Sequence, residues 1–262
     1  TSSTTYTPSS GITKILVKIW GAGGGNTTFF TGGGGAYVEG LLSIDSTKTY
    51  TISVGVSNNK SVPSGIFESS TTLVVAGSGG SASDNNYGGV ATVGAVSYSG
   101  GTSYANQVLG TQIYPGSEAQ NGGGASQSSN GAEGQFYGTQ GQGGAGYFNG
   151  GNGGEQYNGL GGGGAGSSYL AMLSSTSNSQ SGYENLGGGQ NISGRINNAG
   201  NAGQNGLIII TELNGFNSPN VYSATNNSWW DTSTPTTISA AINRIAYALY
   251  IGHTSGAIPL IP

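Results

Sequence analysis

From Thr13 to Trp20 the chain places a β-branched aliphatic at every second position. Successive side chains of a strand point to opposite sides. Ile15, Val17 and Ile19 therefore share one face, suited to a core, while Lys14, Leu16, Lys18 and Trp20 share a second, amphipathic one. Runs rich in Val, Ile, Thr or Tyr and bounded by Gly, Asn, Ser or Pro predict further strands over 36–44, 49–54, 71–76 and 90–98. The four-residue apolar run Leu207-Ile208-Ile209-Ile210 predicts a strand over 206–213 that is covered on both faces. Several short strands with frequent turns point to a mainly β chain folded as an antiparallel β-sandwich.

Between these strands the pattern disappears. Gly fills 20 of the 45 positions from Gly122 to Gly166, with no apolar period of 2 or 3.6, and a second Gly-rich stretch runs from Gly187 to Gly206. Flanked by strands on both sides, this material reads as connections over about 120–166 and 187–206 that pack against the sandwich. Extended polyproline-II-like helices are the expected form, because chains without Cβ atoms can lie close together. Collagen is excluded by the absence of a strict G-X-Y period. The expected organisation is a glycine-rich β domain over 1–213 and a tail over 214–262. In the tail, Ile238, Ile242, Ile245 and Leu249 fall four, three and four residues apart and predict one short amphipathic helix over about 236–251. Thr236 or Thr237 can cap its start, and Gly252 stands just past its end. The stripe has two readings, docking on its own domain or serving as an assembly interface.

Composition narrows the function. The chain has 53 Gly in 262 residues, no Cys, one His and only 6% charged residues. Most catalytic constellations cannot be built from this set, so no enzyme and no catalytic residue is expected. The one His, His253, lacks a marked nucleophile or acid partner. Gly21-Ala22-Gly23-Gly24-Gly25-Asn26 imitates a dinucleotide fingerprint, but Asn26 stands where the third Gly is required and no helix follows. The acids are too dispersed for a calcium loop. No cofactor or metal is therefore expected. A net charge of −4 with scattered Lys and Arg offers no basic stripe for nucleic acid. No run of apolar residues is long enough to span a membrane, and no secretory signal is apparent. The absence of Cys fits manufacture in a reducing compartment. Phe136, Tyr137, Tyr147, Phe148 and Tyr157 punctuate the Gly-rich stretch. They either fill gaps between glycine chains or contact a host glycan or protein.

The stretch Gly11-Ile12-Thr13-Lys14-Ile15-Leu16-Val17-Lys18-Ile19-Trp20-Gly21-Ala22-Gly23-Gly24-Gly25 resembles the opening strand of the viral and bacteriophage glycine-rich domain of tail-fibre and capsid-surface proteins. The likeness continues through Gly32–Gly40 and Tyr50–Gly55, and closes with Gly159–Gly166 and Gly203–Ile210. It departs after Gly55, where Val56-Ser57-Asn58-Asn59 replaces the usual Gly. The segment from Pro235 to Pro259 is similar to the short helical ending of structural proteins in large DNA viruses. The resemblance implies a sandwich carrying a bundle of glycine helices, without catalytic residues. It also implies a virion component, such as a minor capsid or fibre- or spike-like protein, whose partners are other virion proteins or copies of itself. The alternative is a receptor-binding adhesin.

Overall fold

The computed structural model describes residues 3–94, 96–101, 103, 107, 109, 121–134, 141–156, 159–176, 178–189, 198–213 and 220–223. Strands β1 (Ser3–Tyr6), β2 (Lys14–Trp20), β3 (Tyr37–Ser43), β4 (Tyr50–Ser53), β5 (Ser64–Glu68) and β6 (Thr71–Ala76) precede the glycine-rich region. Within and after it come β7 (Glu155–Gln156), β8 (Gly159–Leu160), β9 (Leu173–Ser175), β10 (Leu207–Glu212) and β11 (Asn220–Ser223). They form a four-stranded sheet in the order β1-β4-β5-β6, a five-stranded sheet in the order β11-β10-β2-β3-β9, and the small hairpin β7-β8. All the pairings are antiparallel. The chain is mainly β, a sandwich of two sheets.

The alternation in β2 positions the core. Ile15, Val17 and Ile19 are buried with Val38 and Leu42 of β3 and Ile208 and Ile210 of β10. Opposite them lie Ile52, Ile66 and Val74 from the other sheet. Each such side chain contributes about 1.5–3 kcal/mol of burial. The second face of β2 is graded from exposed Lys14 to buried Trp20. Trp20 joins Tyr37, Ala199, Leu207 and Ile209 in a small outer cluster. Residues 207–210 are thus covered on both faces, as their apolar run requires. At the far end of β10, Glu212 is buried and accepts hydrogen bonds from Tyr6 Oη and Ser9 N, both at 2.8 Å.

Three details differ from the sequence pattern. The described residues of 90–98 form no strand of the sandwich. Val90, Ala91 and 97–98 run through the glycine-rich part instead, tied to it by isolated bonds such as Tyr98 N to Val90 O. Strand β5 is present although Ser64 and Gly65 dilute its apolar content. The sheet also continues past residue 213, since Asn220–Ser223 pairs with β10. The helix expected over about 236–251, with Ile238, Ile242, Ile245 and Leu249, lies outside the described residues.

Candidate functional site

Strand β2 ends at Trp20, β3 begins at Tyr37 and β6 ends at Ala76, and each continues directly into glycine-rich chain. The result is a bundle of extended segments that leaves one end of the sandwich and returns to it repeatedly. Its axis is the segment 161–167. The N–H groups of Gly161, Gly164 and Ser167 donate to Gly154, Gly151 and Phe148, a partner that runs antiparallel and recedes three residues per step. Those of Gly163 and Gly166 donate to Ser81 and Ser78 in the same fashion. The carbonyls of Gly161, Gly164 and Ser167 accept from Gly141, Gly144 and Tyr147, a parallel neighbour. A three-residue repeat is the screw of a polyproline-II-type helix.

Around this axis stand the segments 77–82, 87–91, 97–101, 121–125, 150–154 and 141–145, and the ring closes. Gly80 N donates to Gly89 O, Tyr98 N to Val90 O and Gly100 N to Gly122 O. Gly151 N donates to Gly123 O, Gly150 N to Gly144 O, and Ser78 N to Ala145 O. Six neighbours around one chain is hexagonal packing. Every N–H and C=O from Gly161 to Ser167 has a partner, two of them through side chains: Gly162 N donates to Asn121 Oδ1 at 2.9 Å, and Ser97 Oγ donates to Gly166 O at 2.9 Å. Buried backbone polar groups are thereby fully matched. A second set of segments, 21–25 and 32–36, extends the bundle beside 77–82.

This packing explains the glycine. A Cβ on Gly164 would stand 2.0 Å from Gly123 O, one on Gly24 1.8 Å from Gly80 O, and one on Gly33 1.9 Å from Gly89 O. Left-handed geometry is not the reason, since only Gly11, Gly189, Gly200 and Gly203 adopt positive φ among the described glycines. Side chains survive where they replace a backbone partner. Ser64 Oγ accepts from Gly55 N at 2.9 Å, and Ser81 Oγ accepts from Gly25 N at 3.0 Å.

The end of the bundle far from the sandwich is made by the turns 26–31 and 83–86 and the hairpin β7-β8. Thr27 N and Thr27 Oγ1 both donate to Phe30 O, and Thr27 Oγ1 also reaches Ser83 O at 3.2 Å. Asn86 Nδ2 donates to Leu160 O at 2.7 Å, joining the second turn to the hairpin. Phe30 meets Tyr87 edge-to-face, ring centres 5.0 Å apart. Phe29 is left 78% exposed at the summit of this fixed turn.

Of the aromatics singled out in the sequence, the described residues include Tyr147 and Phe148, which pack on each other. Tyr147 and Phe148 lie at the opposite, sandwich-side end, in a turn where Tyr147 stacks on Tyr169 at 4.4 Å and meets Phe148 edge-to-face at 5.0 Å. Tyr169 is in turn bridged to Val75 of β6. Phe136, Tyr137 and Tyr157 lie outside the described residues. Phe29 is not among the aromatics that the sequence singles out, because it lies outside the long Gly-rich stretch 122–166, between the shorter runs Gly23–Gly25 and Gly32–Gly35. Among the described residues no group of acidic or His side chains is placed to hold a metal ion, and no helix is long and apolar enough to cross a membrane.

A family described as a glycine-rich domain matches residues 1–212. No curated protein and no solved structure shows a significant match to the chain.

Proposed function

The chain belongs to the glycine-rich domain family, and we propose that it is a structural component of a virus particle, a minor capsid or fibre-like protein with no catalytic role. The observation that carries this reading is the hexagonal bundle. Its interior is backbone packed on backbone, which suits a stiff spacer that projects from a β-sandwich and presents its far end. The viral assignment rests on the resemblance of 11–25 and its continuations to virion glycine-rich domains. In this reading the apolar stripe of the tail docks on a neighbouring particle protein or on a second copy of the chain. The test is quantitative mass spectrometry and immunogold labelling of purified particles. Stoichiometric amounts with labelled projections support the reading. A chain found only in the soluble fraction of producing cells refutes it.

A second reading, a receptor-binding adhesin, is favoured by Phe29, a large apolar side chain held in solvent by a hydrogen-bonded turn. Here the bundle end contacts a glycan or protein on the host surface. Phe29→Ala leaves the fold intact and lowers binding of labelled protein to host cells. Unchanged cell binding removes this reading without touching the first.

A further inference from the structure

We infer that the described Asn-Gly pairs of the bundle are two-pronged clasps that shield the folded chain from deamidation, and that Asn130 is the first of these five to react. Five such pairs lie among the described residues, and all five share one pattern. The Asn side-chain carbonyl accepts a hydrogen bond from a backbone N–H three or more residues away, while the N–H of the following Gly donates to the same neighbouring stretch. Asn121 Oδ1 accepts from Gly162 N as Gly122 N donates to Gly162 O. Asn130 Oδ1 accepts from Asn149 N as Gly131 N donates to Asn149 O. Asn149 and Gly150 engage Gly146 and Gly144, and Asn152 and Gly153 engage Gly143 and Gly141. Asn205 and Gly206 engage Ser57 and Gly55.

The chemistry at risk is intramolecular. The backbone nitrogen after Asn loses its proton and attacks the side-chain Cγ. A ring N–C bond forms, the Cγ–Nδ2 bond breaks, and the side-chain nitrogen takes up a proton from water and leaves as ammonia. Water then opens the succinimide to aspartate or isoaspartate, with no change of oxidation state. Glycine at the next position offers no Cβ to hinder the attack, so a chain this rich in Asn-Gly is exposed to it throughout. In the clasp the attacking nitrogen is already a hydrogen-bond donor and the target carbonyl is fixed elsewhere. Reaction therefore requires a local opening that breaks both bonds. Solvent exposure then sets the order. Asn130 is exposed, Asn149, Asn152 and Asn205 are half-buried, and Asn121 is buried.

This inference is independent of the function proposed above. The full chain is incubated at neutral pH, native and in concentrated urea, and each site is followed by peptide mapping with mass spectrometry. In urea the five sites convert at comparable rates. In the native protein each is slower by roughly tenfold or more, because two hydrogen bonds must open together. Asn130 converts first and Asn121 last. Amide exchange at the five following glycines, measured in parallel, follows the same order. Native rates equal to those in urea, or Asn121 converting as fast as Asn130, overturn the proposal.

Discussion

Replacing Gly164 with Ala adds a single methyl group at the axis of the bundle. That carbon would stand 2.0 Å from Gly123 O and 2.4 Å from its carbonyl carbon. A close carbon–oxygen contact in proteins is about 3.3–3.6 Å, so the two segments must part by more than an ångström. Neither atom belongs to a movable side chain. The displacement falls on the bonds from Gly164 N to Gly151 O, at 2.9 Å, and from Gly144 N to Gly164 O, at 2.8 Å. Overpacking a well-filled interior costs about 1–3 kcal/mol, and each buried polar group left unpaired adds about 1–3 kcal/mol. The sum is at least about 3 kcal/mol, a large share of the ~5–15 kcal/mol that holds a typical domain together. Gly94→Ala is the control, because its added carbon meets nothing nearer than Thr92 Oγ1 at 3.6 Å. Urea unfolding of the two variants should show a lower midpoint for Gly164→Ala and one within about 0.5 kcal/mol of the parent for Gly94→Ala. A Gly164→Ala protein with the parent's midpoint and amide-exchange protection would refute the packing argument.

Three further outcomes follow from single side chains. Burial, and then the hydrogen bond to Glu39, push the Tyr37 phenol far above its ordinary value. The folded state holds that proton more tightly than the unfolded chain, so its stabilisation is complete below about pH 10. Above that pH it falls by about 1.4 kcal/mol per pH unit. Alkaline titration of the unfolding free energy should show a shallower decline for Tyr37→Phe, and equal slopes would contradict the assignment. Glu212→Ala removes the acceptor shared by Tyr6 Oη and Ser9 N and should cost about 2–3 kcal/mol in thermal or urea unfolding; a loss within experimental error would mean that this clamp is dispensable. Ser64→Ala strips Gly55 N of its hydroxyl acceptor and should cost about 1–3 kcal/mol, read as a shift of the urea midpoint at unchanged slope.

The sandwich was legible because its signal is the one sequence patterns carry best. Ile15, Val17 and Ile19 keep a period of two, and the run 207–210 declares burial on both faces. Strand β5 was not legible, since Gly65 is there for backbone proximity: its Cβ would meet Val74 O at 2.6 Å. The bundle was legible only as composition. Its repeat is three residues and concerns hydrogen-bond direction, which leaves no mark on hydrophobicity. Gly21–Gly25 and Gly32–Gly35 therefore look like turn punctuation around strands although they belong to the same packing as Gly161–Gly164. Val90-Ala91-Thr92-Val93 misleads in the other direction, because β-branched residues near the bundle's end imitate a strand. Phe29 and the pair Tyr147 and Phe148 stand at opposite ends for a topological reason: the segments alternate in direction, so successive turns emerge at opposite ends.

A core of this kind also has a thermal signature. Exposure of apolar surface raises the heat capacity of unfolding by about 0.45 cal/K/mol/Å², whereas exposure of polar surface lowers it by about 0.26 cal/K/mol/Å². The bundle hides peptide groups where an ordinary interior hides hydrocarbon, so melting it releases little apolar area per residue. Its stability curve is accordingly broad and flat, and cooling removes little of what holds it together. The glycine that makes the chain look unfoldable thus gives the projecting part of this protein a wide working range of temperature.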